Sequence, residues 1–195
     1  MKGRLCKYCF EPVWRVRRQL PRGAVPEALA DWLFDPGSLT RRVQGRCGGD
    51  FRVEVIRQDW RRPMLNEVRR LRLRQAERAL IREVYLLCDE RPWVYARTVI
   101  PRRTLRGPRR HLARLGSRPL GAVLFADPGL ERDEVEVSRI EPGQLMFEPA
   151  TRHGAKPPGD ERGPVWGRRS VFYLQRKPIL VCEVFLPEMG LDREG

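Results

Sequence analysis

The sequence predicts an antiparallel α+β domain of about six hairpin-linked strands with a few short helices. Three observations carry that prediction. Residues 79–87 and 93–100 are apolar runs joined by Asp89-Glu90-Arg91-Pro92, a hairpin of ordinary loop length. Residues 170–174 and 178–186 form a second such pair around Gln175-Arg176-Lys177. Residues 51–56 alternate in polarity as a strand does, and 133–137 begin another.

The elements follow in order. Residues 1–24 are basic and irregular and read as a partly ordered N-terminal arm. Residues 25–33 read as a short helix with Pro26 near its first turn and Leu29, Trp32 and Leu33 inward, stopped by Asp35-Pro36-Gly37. Ser38 is an N-cap for a second short helix over 39–43, and 45–49 is a loop. Residues 107–115 resemble a short helix ended by Gly116, and Arg118-Pro119-Leu120-Gly121 leads into the apolar stretch 122–125. Residues 141–163, rich in Pro, Gly and charge, read as a flexible insertion in a domain spanning 25–190.

A chain of 195 residues, 41% hydrophobic and 33% charged, is one folded domain rather than a disordered segment. No apolar run approaches the roughly 20 residues of a membrane helix, and no apolar stretch follows Lys2, Arg4 and Lys7 as a secretory leader requires. A cytoplasmic protein is expected. The net charge of +14 raises nucleic-acid binding as a reading. Against it, only four of the 39 basic residues are lysine, the arginines are scattered, and the dense stretch 102–118 has no aromatic but His111. No nucleic-acid partner is expected, although the charge can steer an anionic substrate.

Five cysteines, an odd number without a leader, argue against a disulfide framework. Cys6 and Cys9 make half of a zinc-site spacing, but no second pair follows; Cys47, Cys88 and Cys182 stand alone. His111 and His153 lie in Arg-rich and Gly/Pro-rich contexts. Neither a metal site nor a Cys/His nucleophile is expected.

Strand parity singles out three ionisable residues. Glu183 shares a face with Ile179, Val181 and Phe185 in a strand apolar on both sides, which puts a carboxylate inside. Arg82 lies between Leu80 and Val84 on its face, and Arg97 shares one with Trp93, Tyr95 and Val99. Pattern alone leaves open whether these groups pair as structural bridges or build an anion pocket.

Six stretches together resemble the chorismate lyase family of ubiquinone-making bacteria, over roughly residues 28–187. They are Asp31-Trp32-Leu33 with Ser38-Leu39-Thr40; Arg82-Glu83-Val84-Tyr85-Leu86-Leu87-Cys88; Pro92-Trp93 with Ala96-Arg97-Thr98-Val99-Ile100-Pro101; Leu115-Gly116 with Pro119-Leu120-Gly121; Trp166-Gly167-Arg168-Arg169-Ser170; and Lys177-Pro178 through Glu183-Val184-Phe185-Leu186-Pro187. The resemblance implies a single antiparallel sheet with helices on one side, a fully enclosed ligand site and a monomer. It implies elimination of pyruvate from chorismate to leave 4-hydroxybenzoate, without a cofactor. On it, Arg82 holds the ring carboxylate, Glu183 the ring hydroxyl, and Leu39 and Leu120 line the site and offer backbone N–H groups. Arg97 is the candidate for the enolpyruvyl carboxylate or the developing enolate. Slow product escape past a lid is also implied.

Three departures stand out. Ala96 replaces a glycine common in the family, Leu39 replaces a frequent methionine, and the compact members lack an insertion like 141–163. The competing expectation is a non-catalytic aromatic-acid sensor, as in related effector domains of transcription regulators; no helix-turn-helix is legible in the leading 24 residues.

Overall fold

The computed structural model describes residues 10–153 and 163–191. Its elements, in chain order, are β1 (Arg15–Val16), α1 (Glu27–Leu33), α2 (Leu39–Arg46), β2 (Phe51–Arg61), α3 (Leu65–Arg70), β3 (Ala79–Cys88) and β4 (Arg91–Pro101). A 3₁₀ segment, Gly107–Arg114, leads to α4 (Leu120–Leu124), β5 (Leu130–Arg132), β6 (Glu136–Ile140), α5 (Phe147–Thr151), β7 (Val165–Leu174) and β8 (Lys177–Phe185).

The sheet is antiparallel, with order β1-β6-β7-β8-β4-β3-β2, and β5 pairs with β7 beyond β6. It has eight strands among the described residues rather than about six. The additions are β1 and β5, two and three residues long, too short for an alternating pattern to register. Both expected hairpins form, each tighter than expected. Asp89 and Glu90 (φ 48° and 64°) close β3–β4, and Gln175 and Arg176 (φ 49° and 63°) close β7–β8, so each loop is a two-residue turn whose left-handed backbone matches the strand twist.

The sheet has a core on each face. On one, α1 and α2 bring Leu29, Trp32, Leu33, Leu39 and Val43 against Val84, Leu86 and Phe185. Beside them, Leu112 and Leu124 from the 3₁₀ segment and α4 pack on Leu80, Ile100, Phe172 and Val181. The other face, carrying Ile81, Tyr85, Val99, Leu180 and Cys182, is covered by Val68 of α3 and by Phe147 and Ala150 of α5. Helices therefore lie on both faces rather than on one. Ser38 caps α2 as expected, its Oγ accepting the Arg41 N–H at 3.5 Å.

Part of the region expected to be a flexible insertion is structured. Residues 147–151 are helical and bury Phe147 and Ala150 in the core; the expectation for 154–162 falls outside the described residues. In the N-terminal arm, Trp14 joins the same core. Cys47 and Cys88 form a disulfide, Cα–Cα 5.7 Å, correcting the reading that set both cysteines apart. They are 41 residues apart in sequence and meet because β2 pairs with β3, Phe51 opposite Cys88. Among the described residues no helix is long and apolar enough to cross a membrane.

Candidate active site

Arg82 and Glu183 point to the same face of the sheet. Arg82 lies opposite Thr98, Thr98 opposite Val181, and Glu183 opposite Ala96, so all five side chains share one side. Two strands across and two residues along put the Arg82 and Glu183 Cα atoms about 12 Å apart. Ala96, Thr98 and Val181 lie between them on that face.

Arg82 is 2% exposed. Its Nη1 donates to Gln58 Oε1 at 3.2 Å and its Nη2 to the Arg118 carbonyl at 3.4 Å. Among the described residues no carboxylate pairs with it, and burial pulls its pKa below the ordinary arginine value. A buried cation with only neutral partners costs several kcal/mol that a bound anion would offset.

Glu183 is held differently. Its Oε2 accepts from Arg168 Nε at 2.7 Å, and Arg168, 1% exposed, donates through Nη1 to the carbonyls of Trp32 (2.8 Å) and Asp35 (2.9 Å). The guanidinium thus ties the carboxylate to the end of α1, while among the described residues nothing donates to Glu183 Oε1. Beside this pair lies a cavity of about 30 Å³ lined by Leu39, Gly121, Phe125, Phe172, Val181 and Glu183, among others. That is room for one or two waters. It is too small for an aromatic ring.

The cover is the start of α2 and the start of α4. Leu39 and Leu120 are the first residues of these helices, where backbone N–H groups have no intrahelical acceptor. The two ends touch: a Cβ on Gly121 would meet Thr40 Oγ1 at 3.0 Å and Ser38 Oγ at 3.2 Å, so any larger residue would push them apart. Leu39 is buried; Leu120 is partly buried beside Val181.

Arg97 does not join this group. It stands opposite Cys182 and Glu83, on the other face, and its Nε and Nη2 bind Glu67 at 2.7 and 3.0 Å while Nη1 binds Glu83. Burial opposes its charge, but the two carboxylates outweigh that and raise its pKa. The structure therefore makes Arg97 the centre of an ion triad, separated from Arg82 and Glu183 by the sheet. The expected neighbours of Arg97 also need one correction. A register shift at Leu86/Leu87 turns Trp93 to the α1–α2 side, away from Tyr95.

Two arginines near Glu183 escaped the sequence reading. Arg168 belongs to β7, which starts at Val165 rather than at 170; alternation extended back from Ser170 would have put Arg168 on the Glu183 face. Arg132 lies in the three-residue β5, where no periodicity exists to read.

Comparison with known proteins bears on the family of the chain. A family profile described as chorismate lyase matches residues 12–194. A probable chorismate pyruvate-lyase from Methylococcus capsulatus is 46% identical over 159 residues, covering 82% of this chain and 94% of the relative. Another from Nitrosomonas europaea is 43% identical over 164 residues, covering 84% and 89%. Among solved structures, the effector domain of PhnF from Mycobacterium smegmatis aligns with a TM-score of 0.51 at 15% identity, over 76% of this chain and 88% of that one, a likeness of fold. With a profile spanning nearly the whole chain and relatives above 40% identity over most of their own length, this chain belongs to the chorismate lyase family.

Proposed function

We propose that this chain is a cytoplasmic chorismate pyruvate-lyase that releases 4-hydroxybenzoate for the ubiquinone ring, and that Arg82 and Glu183 hold the two ends of the ring. The observation that carries the reading is Arg82: a buried guanidinium, paired with no carboxylate among the described residues, on the face that also carries Glu183.

The chemistry asks little of the protein. The C4 proton leaves, the C3–O bond breaks, and the freed electron pair completes the aromatic ring. The enolate of pyruvate departs and takes a proton at its methylene carbon. Every electron is accounted for within chorismate, so no external oxidant is needed. Arg82 would bind the ring carboxylate through two parallel N–H bonds, a geometry lysine lacks. Leu39 and Leu120 would add backbone N–H donors from the two helix starts. Glu183, its Oε2 anchored by Arg168, would use Oε1 to orient the C4 hydroxyl and assist removal of the proton. Lifting of α2 and α4 would admit substrate, and their closure would slow product release.

Purified protein incubated with chorismate, without metal or cofactor, should yield 4-hydroxybenzoate and pyruvate in equal amounts. Arg82→Ala should weaken 4-hydroxybenzoate binding by about 100-fold, the worth of a lost charge-assisted pair. Its melting temperature should hold or rise, because the substitution removes a cation buried without an anion. Undiminished product binding by Arg82→Ala would refute the pocket.

A further inference from the structure

We propose that Arg132 is the receptor for the enolpyruvyl carboxylate of chorismate, a second anion site on the Glu183 side of the pocket; this rests on the lyase reading above.

Chorismate carries two carboxylates, one on the ring and one on the ether that leaves. The ether oxygen sits on C3, next to the C4 hydroxyl assigned to Glu183. Its carboxylate can therefore lie beside Glu183, on the side of the ring away from Arg82. The groups near Glu183 decide which residue can take it.

Arg168 is already occupied. Its guanidinium binds Glu183 and the Trp32 and Asp35 carbonyls. Arg132 is its neighbour, since both donate from Nη1 to the same Asp35 carbonyl, Arg132 at 3.2 Å. Arg132 also donates to the Pro36 carbonyl at 2.8 Å and, through Nε, to Ser170 Oγ at 3.1 Å. Its guanidinium carbon lies 5.0 Å from the centre of the Phe172 ring, which lines the cavity beside Glu183. All these partners are neutral. Among the described residues no carboxylate forms an ion pair with Arg132, and nothing accepts from its Nη2.

The local charge count points the same way. Two guanidiniums share one carbonyl, and among the described residues Glu183, bonded to Arg168, is the one carboxylate in direct contact with either. The Asp35 carboxylate is taken by Arg42 at 2.8 Å and by the Gly37 N–H at 2.6 Å. Burial, followed by the charge of Arg168, holds the Arg132 pKa down to about 10. Glu183 and Asp35 offset its charge only from a distance, so an anion delivered here would gain a direct partner. The sheet face would then carry two arginines with neutral hydrogen-bond partners, the buried Arg82 on β3 and the half-buried Arg132 on β5, on either side of the strand that carries Glu183.

The product separates this site from the other, because 4-hydroxybenzoate keeps only the ring carboxylate. Arg132→Gln should lower kcat/KM for chorismate by about tenfold or more, while 4-hydroxybenzoate affinity and melting temperature stay within twofold and a few degrees of the wild type. Added pyruvate should compete with chorismate less in the same variant than in the wild type. Arg132→Lys should recover part of the chorismate KM, and it serves as the second variant if the glutamine form folds poorly. An equal loss of chorismate and 4-hydroxybenzoate binding would make Arg132 a support for Phe172 and Ser170 and overturn the assignment. An unchanged kcat/KM would overturn it too. Failure of the wild type to turn over chorismate would instead sink the lyase reading itself, a result distinct from turnover that ignores Arg132.

Discussion

Arg97 is clamped by two carboxylates, Glu67 and Glu83, and all three side chains are buried. Glu67 also accepts the Met64 N–H at the start of α3 at 2.8 Å, so the triad ties α3 to the sheet. Its energetics differ from those of Arg82, which has no carboxylate partner among the described residues. Among the described residues, removing Arg97 leaves Glu67 without a cation and Glu83 with only Arg61 at 3.4 Å, so Arg97→Ala should cost about 3–5 kcal/mol in denaturant unfolding. Replacing the triad together (Arg97→Met, Glu67→Met, Glu83→Leu) should recover most of that, because an apolar trio leaves no unpaired charge. A loss below 1 kcal/mol for Arg97→Ala would show that water or another cation satisfies those carboxylates. Arg82→Ala should behave in the opposite way, losing ligand and keeping the fold. On the proposed reading, the same residue type would serve structure or binding according to whether the fold supplies a carboxylate beside it.

At the level of elements, α2 is held at both ends by different means. Its first turn touches α4 over the cavity, whereas Cys47, the residue after its last, is bonded to Cys88 at the end of β3. One end of α2 can move only as far as the other, fixed end allows. A crosslink spanning 41 residues removes chain entropy worth up to about 4 kcal/mol of stability in the loop-closure picture. Reduction, or Cys47→Ser with Cys88→Ser, should therefore lower the melting temperature by several degrees. Identical melts with and without reductant would mean that the bond is not formed in the isolated protein. In the reducing cytosol proposed above the pair would rest as two thiols, so this stabilisation belongs to oxidising conditions. The third described cysteine, Cys182, is free and buried, and burial pushes its thiol up to about 12.

For the molecule as a whole, the two-sided core sets the pH range of stability. Tyr85 donates its hydroxyl to the Pro149 carbonyl at 2.6 Å, and burial raises its pKa to about 12. Tyr95, buried next to Glu83, is raised well above the ordinary value of about 10 as well. Between pH 10 and 12 the unfolded chain releases protons that the folded chain retains. Stability is therefore complete below about pH 10 and falls as pH rises through that window. Tyr85→Phe should flatten the decline seen in denaturant midpoints across it. A wild-type midpoint that stays level from pH 10 to 12 would contradict the burial of both phenols. At neutral pH the net charge of +14 surrounds the molecule with a field that favours approach of a dianion such as chorismate.

The sequence by itself determined the class, the hairpins, the cap of α2, and two of the polar residues on the pocket face. These are local properties: alternation, turn length and capping chemistry are written in neighbouring residues. Arg82 and Glu183 were legible because a charge inside an apolar alternation has nowhere else to point. Tertiary structure decided what pairing decides. Parity within one strand cannot say which face of the next strand it joins, and the register setting Arg97 opposite Cys182 moved that arginine across the sheet. A three-residue strand has no period, so Arg132 became visible only once β5 was seated on β7. Cys47 and Cys88 found each other for the same reason: their contact belongs to the β2–β3 pairing, and no local pattern encodes a partner 41 residues away.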